Sequence, residues 1–139
     1  MRKNKYDKRG VTNLTRLNKR NYEGVILRFL PLAARSFGVT VLHETLPPYT
    51  DTPPNLHKHT HEYVFVLSGQ ATAYLNRRYF QIKEGDMFAI PAGVAHRFKS
   101  GKKQLTALSV FSPAINFKHP DVHLLRADAS NRRLAALKK

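Results

Sequence analysis

Short apolar runs alternate with polar and turn-forming residues through the middle of the chain, which is the pattern of β-strands. Glycine, proline and asparagine mark the turns between most of these runs, at Gly69-Gln70, Glu84-Gly85 and Pro91-Ala92-Gly93 among others. Many short strands with regular turns indicate an antiparallel sandwich or barrel, so the pattern predicts an all-β fold. The predicted strands cover residues 22–30, 37–46, 57–61, 62–68, 71–76, 79–83, 86–90, 95–99 and 104–111.

The two-residue period of a strand also assigns side chains to faces. In the run 37–46, His43 shares a face with Val39 and Val41, and Glu44 lies on the opposite face. His43 is therefore either a core histidine or a residue that lines an internal pocket. Tyr74 and Phe88 are open to the same two interpretations, since most aromatic residues in such strands simply pack in the core.

The two ends of the chain differ from the middle. Residues 1–20 are polar and basic and predict a loosely held N-terminal arm, followed by one domain over residues 21–125. In residues 126–139, Asp128 or Ser130 is placed to cap a short basic helix that runs to Leu137. Neither a repeat nor a second domain is predicted.

The composition excludes several classes of protein. A chain of 139 residues is long enough for one domain with a real core, and 42% hydrophobic residues are too many for a disordered chain. The absence of cysteine excludes a disulfide scaffold, a thiolate zinc site and a cysteine nucleophile. No apolar run approaches the ~18–20 residues of a membrane span, and the first ten residues do not resemble a signal peptide. We therefore expect a cytoplasmic protein.

The charge is concentrated at the ends. The chain has 24 lysines and arginines against 9 acids, a net charge of +15. Residues 1–20 carry +7 and residues 126–139 carry +4, which leaves only +4 for everything between them. Basic arms can contact nucleic acid through phosphates, but neither arm has the interleaved aromatic residues of a single-strand binder, and no helix-turn-helix is present. Solvated or partner-wrapping arms are the favoured interpretation.

Histidines are the candidate chemistry. His57, His59 and His61 alternate and are followed at once by Glu62, and a further histidine, His96, lies in a distant strand. In an extended strand the three alternating imidazoles would project from one face, where they could chelate a divalent transition metal. The carboxylate and the distant histidine would complete a nitrogen–oxygen site.

These two segments resemble the two signature motifs of the cupin superfamily. The first motif is matched by His57 and His59 and by Glu62, which precedes Gly69 by the expected spacer of six residues. The second motif is matched at every spacing by Gly85, Pro91, Gly93 and His96, and the resemblance covers about residues 39–112. Two departures are present. The gap between His59 and Glu62 is one residue shorter than in the family, which keeps His61 as a reserve ligand, and Ser100 stands in place of the final asparagine.

The resemblance implies a small double-stranded β-helix, or jelly-roll barrel, with one divalent transition metal (zinc, nickel, manganese or iron) near its open end. It implies the ligands His57, His59, Glu62 and His96, with a coordination position left open for water or substrate. The implied function is a metal-dependent enzyme of isomerase, dioxygenase or lyase type that acts on a small molecule. The alternative is a non-catalytic sensing domain similar to those of arabinose-type transcription regulators, with its basic arms on nucleic acid or a partner. The resemblance also implies a homodimer.

Overall fold

The structure is a computed structural model that describes residues 11–30 and 37–125. The first half of the predicted N-terminal arm and the whole predicted C-terminal helix lie outside these residues. Within the described part, no helix is long and apolar enough to cross a membrane.

Ten antiparallel strands form one curled sheet, which confirms the predicted all-β barrel. The described residues contain only one short helical segment before the sheet, a 3-10 turn at Leu14–Arg16 whose N-cap is Asn13. The strands are β1 Lys19–Tyr22, β2 Val25–Phe29, β3 Thr40–Leu46, β4 Asn55–Leu56, β5 His61–Leu75, β6 Arg78–Lys83, β7 Met87–Ile90, β8 His96–Lys99, β9 Leu105–Ser112 and β10 His123–Leu124.

The sheet begins with a hairpin that the predicted arm boundary missed. Strands β1 and β2 pair through Tyr22 and Val25, so Lys19 and Arg20 belong to the sheet rather than to an arm that ends at residue 20. The turn between them places Glu23 and Gly24 at positive φ (50° and 89°), the conformation that two-residue hairpins favour. This hairpin continues the wall of the barrel through the pairing of β2 with β3.

Strand β5 is the central element of the fold. The sequence predicted two strands divided by a turn at Gly69-Gln70, and this was wrong: β5 runs unbroken for 15 residues. A register shift between Val66 and Ser68 bends it instead of ending it. Its first part pairs with β7 and β9, and its second part pairs with β6 and β8, so a single strand joins the two halves of the barrel.

Alternation in β5 and β9 directs one set of side chains into the barrel. In the first part of β5 the even-numbered residues Glu62, Val64 and Val66 are buried, and after the register shift the buried residues are the odd-numbered Ala71 and Ala73. The main apolar core consists of Leu46, Val64, Val66, Ala71, Ala73, Ile82, Ile90, Leu105 and Ala107. A second cluster of Leu42, Phe111 and Ile115 lies apart from it, with Leu27 and Phe29 packed against it.

Gly69 is the position at which the bend in β5 depends on a missing side chain. Its φ is +78°, and a Cβ there would overlap the carbonyl oxygen of Gln104 on the neighbouring segment. We expect Gly69→Ala to lower the free energy of unfolding by ~1–3 kcal/mol or more, because strain at positive φ adds to the steric overlap. Urea unfolding measures the effect. The control is Gly101→Ala, since Gly101 has an ordinary φ and a Cβ added there would meet no atom within 4 Å; equal losses in both variants would contradict the prediction.

Candidate metal centre

Three buried side chains meet inside the barrel. His57, Glu62 and His96 each offer one ligand atom, and these atoms lie within 4.8 Å of one another. Their residues are only 6%, 5% and 3% exposed, respectively. The imidazole rings of the two histidines lie 5.3 Å apart, centre to centre, and the rings of His57 and Phe111 pack in a T-shaped arrangement. Two imidazoles and a carboxylate within this distance can hold a single divalent ion.

Three separate strands position the group. Glu62 is the second residue of β5 and points inward by the alternation of that strand. His96 begins β8, where it pairs with Leu75 of β5 and Asn55 of β4. His57 follows β4 directly, so the pairing of β4 with β8 brings the two histidines side by side.

Backbone carbonyls hold both imidazoles in a fixed orientation. Nδ1 of His57 lies 2.5 Å from the carbonyl oxygen of Asp121, and Nδ1 of His96 lies 2.9 Å from that of Val94. A carbonyl only accepts, so each Nδ1 carries the proton and each Nε2 is left with a free lone pair. Metal-bound histidines in proteins characteristically donate their second N–H in this way. The site therefore fits a metal by the tautomers of its ligands as well as by their spacing.

The electrostatics keep the histidines neutral. Burial lowers the pKa of His96 to about 4, an effect that its hydrogen bond to Val94 opposes and nearby His57 reinforces. Burial also lowers the pKa of His57, against the opposing effect of Asp121. Both imidazoles are thus uncharged at neutral pH, which is the form that binds a metal.

His59 and His61 do not belong to this group. The expected strand 57–61 is wrong, because residues 58 and 59 lie in a bend and β5 begins only at His61. The bend forms because the Asp121 carboxylate accepts hydrogen bonds from three consecutive backbone N–H groups, those of Lys58, His59 and Thr60. The side chains of His59 and His61 are consequently exposed, and Nδ1 of His61 accepts from the N–H of Ala92. The structure thus brings together three of the four expected ligands and leaves out both His59 and its reserve.

A cavity of about 350 Å³ opens above the group. His57 and Glu62 lie in its wall, with Glu44 on β3 as a second carboxylate. Phenylalanines 29, 98, 111 and 117 make much of the remaining surface, and Arg20 of the N-terminal hairpin is at its rim. A wider surface depression of about 800 Å³ is lined by Leu75, Arg78, Phe80 and neighbouring residues. We take the smaller cavity as the candidate site, because it contains two of the three grouped ligands.

None of the three residues considered for the pocket wall lines this cavity. His43 lies on the outer face of β3, because Leu42 and Leu46 point into the barrel and carry Glu44 inward with them. Tyr74 stacks under the guanidinium of Arg97, 3.9 Å from it, and Phe88 packs against the main core. Glu44 was not predicted to face the cavity. The signal was present in the sequence, because Glu44 lies two residues from both Leu42 and Leu46 and alternate residues of a strand share a face.

The two cavity carboxylates share one unfavourable environment. Burial raises the pKa of Glu62 well above its ordinary value, and the neighbouring Glu44 carboxylate raises it further. Burial likewise raises the pKa of Glu44 to about 7. Like charges in a poorly solvated cavity favour a proton or a cation between them.

Known proteins share both the sequence pattern and the fold of this chain. Residues 42–111, half of the chain, match the cupin domain family. The chain is a cupin. An uncharacterized protein of Streptomyces coelicolor is 33% identical over 92 residues, which are 66% of this chain and 82% of that protein.

Ser100, which stands in place of the final asparagine of the family motif, has a structural role. Its hydroxyl donates to the carbonyl of Pro47 at 2.5 Å and accepts from the N–H of Thr50 at 2.9 Å.

Solved structures of several enzymes have a similar fold. The polyketide cyclase RemF from Streptomyces resistomycificus superposes with a TM-score of 0.70 at 21% identity, over 91% of this chain and 96% of that one. The Streptomyces nucleoside dehydratase Pac13 has a TM-score of 0.69 at 17% identity, over 82% and 88%. Ectoine synthase from P. lautus has a TM-score of 0.67 at 17% identity, over 85% and 91%. At these identities the likeness establishes the jelly-roll fold alone.

The raised pKa of Glu44 makes the stability of the metal-free cupin depend on pH. Between the ordinary carboxyl pKa and about 7, the folded state binds a proton that the unfolded state has released, so stability falls as pH rises through this window. We expect Glu44→Gln to leave the Tm at pH 4.5 nearly unchanged and to raise it by several degrees at pH 8. Thermal unfolding in the presence of a chelator measures this. Exposed Glu84→Gln is the control, and a gain for Glu44→Gln that does not vary with pH would contradict the prediction.

Proposed function

We propose that this cupin is a metal-dependent enzyme that acts on a small molecule bound in the cavity above His57, Glu62 and His96. The observation that carries the proposal is the group itself: two neutral imidazoles with free Nε2 atoms and one carboxylate, all buried, with His57 and Glu62 in the cavity wall. A purely structural role for this arrangement would bury a carboxylate and two lone pairs with nothing between them, which is costly. The similar enzyme folds support an enzyme but do not select its reaction.

The donor set is compatible with several metals. Two histidines and one carboxylate suit zinc, nickel and manganese, and the same set occurs in non-haem iron(II) oxygenases. With three protein ligands, further coordination positions stay open to water or substrate. When bound, the ion would polarise a carbonyl or hydroxyl oxygen of the substrate.

The chain's own residues would supply the remaining chemistry. Glu44 lines the same cavity as the ligands and has a pKa of about 7, so its carboxyl can accept or donate a proton near neutral pH. The phenylalanines of the wall would exclude water and contact an apolar or planar part of the substrate. A cavity of about 350 Å³ is at the small end of ligand sites, which favours a metabolite over a polymer.

Metal analysis of ligand variants tests the proposal. We expect the wild type to bind close to one equivalent of a divalent transition metal, and His57→Ala, Glu62→Ala and His96→Ala to lose it. His59→Ala and His61→Ala should keep the metal, because both side chains are exposed and outside the group. Elemental analysis and Co²⁺ titration measure this.

Two outcomes would count against the proposal. A wild type that carries no metal and binds none on addition would favour the alternative, a non-catalytic sensing domain whose cavity binds its ligand without an ion. Loss of metal in His59→Ala would restore the four-ligand set that the sequence predicted. The suggestion that the basic ends contact nucleic acid rests largely on residues outside the described part of the chain and stays a prediction, as does the cytoplasmic location.

The outer face of the sheet suggests a second copy of the chain as partner. Tyr63, Phe65 and Leu67 of β5 and Met87 of β7 are exposed there by 45%, 41%, 48% and 69%. The outward positions of β5, β7 and β9 carry no Lys, Arg, Asp or Glu, although the chain has a net charge of +15. An acidic partner would select a basic face, whereas two copies of a basic chain can approach most easily through an uncharged one.

We therefore expect a homodimer in sedimentation or light-scattering measurements at physiological salt. Phe65→Glu should convert it to a monomer, because a charge would be buried in the interface. Phe80→Glu is the matched control, since Phe80 is a similarly exposed phenylalanine on β6, in the other half of the barrel. A monomeric wild type would refute the dimer, and equal dissociation of both variants would refute this face as its interface.

A further inference from the structure

We propose that Asp121 is a positioning residue that holds His57 in the orientation a metal ligand needs. The inference rests on the proposed metal site, but it concerns a residue ten positions beyond the matched family segment 42–111. Nothing in the sequence motifs singles out this aspartate.

Asp121 contacts the loop of residues 57–60 with both its backbone and its side chain. Its carbonyl oxygen lies 2.5 Å from Nδ1 of His57. Its carboxylate accepts from the N–H of Lys58 at 2.9 Å, of His59 at 2.7 Å and of Thr60 at 3.1 Å. The Asp121 side chain thus closes the bend that directly follows His57, and the carbonyl of the same residue orients its ring.

The carboxylate is bound as an anion. Burial opposes this state, but the N–H donors of His59, Lys58 and Thr60, together with His123, lower the pKa of Asp121 to about 2. Charge-assisted hydrogen bonds of this kind are about twice as strong as neutral ones. Three hydrogen bonds to the carboxylate thus hold residues 58–60 to the segment around Asp121.

The same segment is also part of the cavity wall. Pro120 and Val122, on either side of Asp121, line the cavity, and β10 pairs with β4 immediately afterwards. Without the carboxylate, this segment would lose its attachment to the bend, and its carbonyl would no longer be held at Nδ1 of His57. The Nε2–H tautomer, whose proton occupies the metal-binding nitrogen, would then become populated.

Asp121→Ala tests the inference, with Co²⁺ as the probe. We expect the dissociation constant for Co²⁺ to rise 10–100-fold, the usual effect of removing a group that orients a ligand. Asp121→Asn keeps one acceptor oxygen and should give a smaller loss. Asp51→Ala is the control for general destabilisation, because it removes another partly exposed aspartate, whose side chain pairs with buried Arg97 and, among the described hydrogen bonds, with no residue of the segment 57–60. It should lower the Tm and leave Co²⁺ affinity unchanged.

A second measurement does not need the metal. Nitrogen-15 chemical shifts of the metal-free protein report which imidazole nitrogen of His57 carries the proton. The wild type should show the Nδ1–H form, and Asp121→Ala a mixture of both forms. Unchanged tautomer and affinity in Asp121→Ala would overturn the inference, as would losses of affinity in Asp121→Ala and Asp51→Ala that simply follow their losses of Tm. If the wild type binds no metal, the proposed function fails, while the tautomer measurement still decides the role of Asp121.

Discussion

The burial of the Glu62 carboxylate is the constraint on which the rest of the site depends. An ionised carboxylate inside a barrel is unfavourable unless a proton, a cation or several donors accompany it. Among the described residues the contacts between acidic and basic side chains are Asp51–Arg97 and, with His123 protonated, Asp121–His123, so no basic side chain neutralises Glu62 there. Glu44 makes the environment still more negative. Two neutral histidines direct lone pairs to the same place, and a divalent cation would satisfy all three groups together.

Strand β5 makes this burial possible without weakening the fold. It is hydrogen-bonded along its length and joins both halves of the barrel, so Glu62 projects from a rigid element. The next two inward residues, Val64 and Val66, belong to the main core and stabilise the strand beside the polar site. The bend at Gly69 is needed because one straight strand could not serve both halves. Enzymes of different reactions have folds similar to this barrel, so the barrel itself does not select a reaction.

Much of the fold could be predicted because its signals are local. The alternation of apolar residues identified most strands, and the turns at Gly85 and Gly93 have the positive φ (88° and 85°) that favours glycine. The motif spacings also selected Glu62 and His96, which the structure brings together with His57. Gly69 was misinterpreted because a glycine that bends a strand and a glycine that ends one have the same local sequence signal.

The remaining errors involve partners that are distant along the chain. His59 was expected beside His57 because an extended backbone was assumed, whereas Asp121, more than 60 residues away, bends that segment. Glu44 and not His43 faces the cavity, because the pairing of β3 with β2 and β9 decides which side of β3 is inside. The sequence by itself determined the strand pattern, the turn glycines and the set of candidate ligands, since each depends on a few neighbouring residues. Only the tertiary structure decided which ligands converge and which nitrogen of each histidine is free, because hydrogen bonds between separate segments control both.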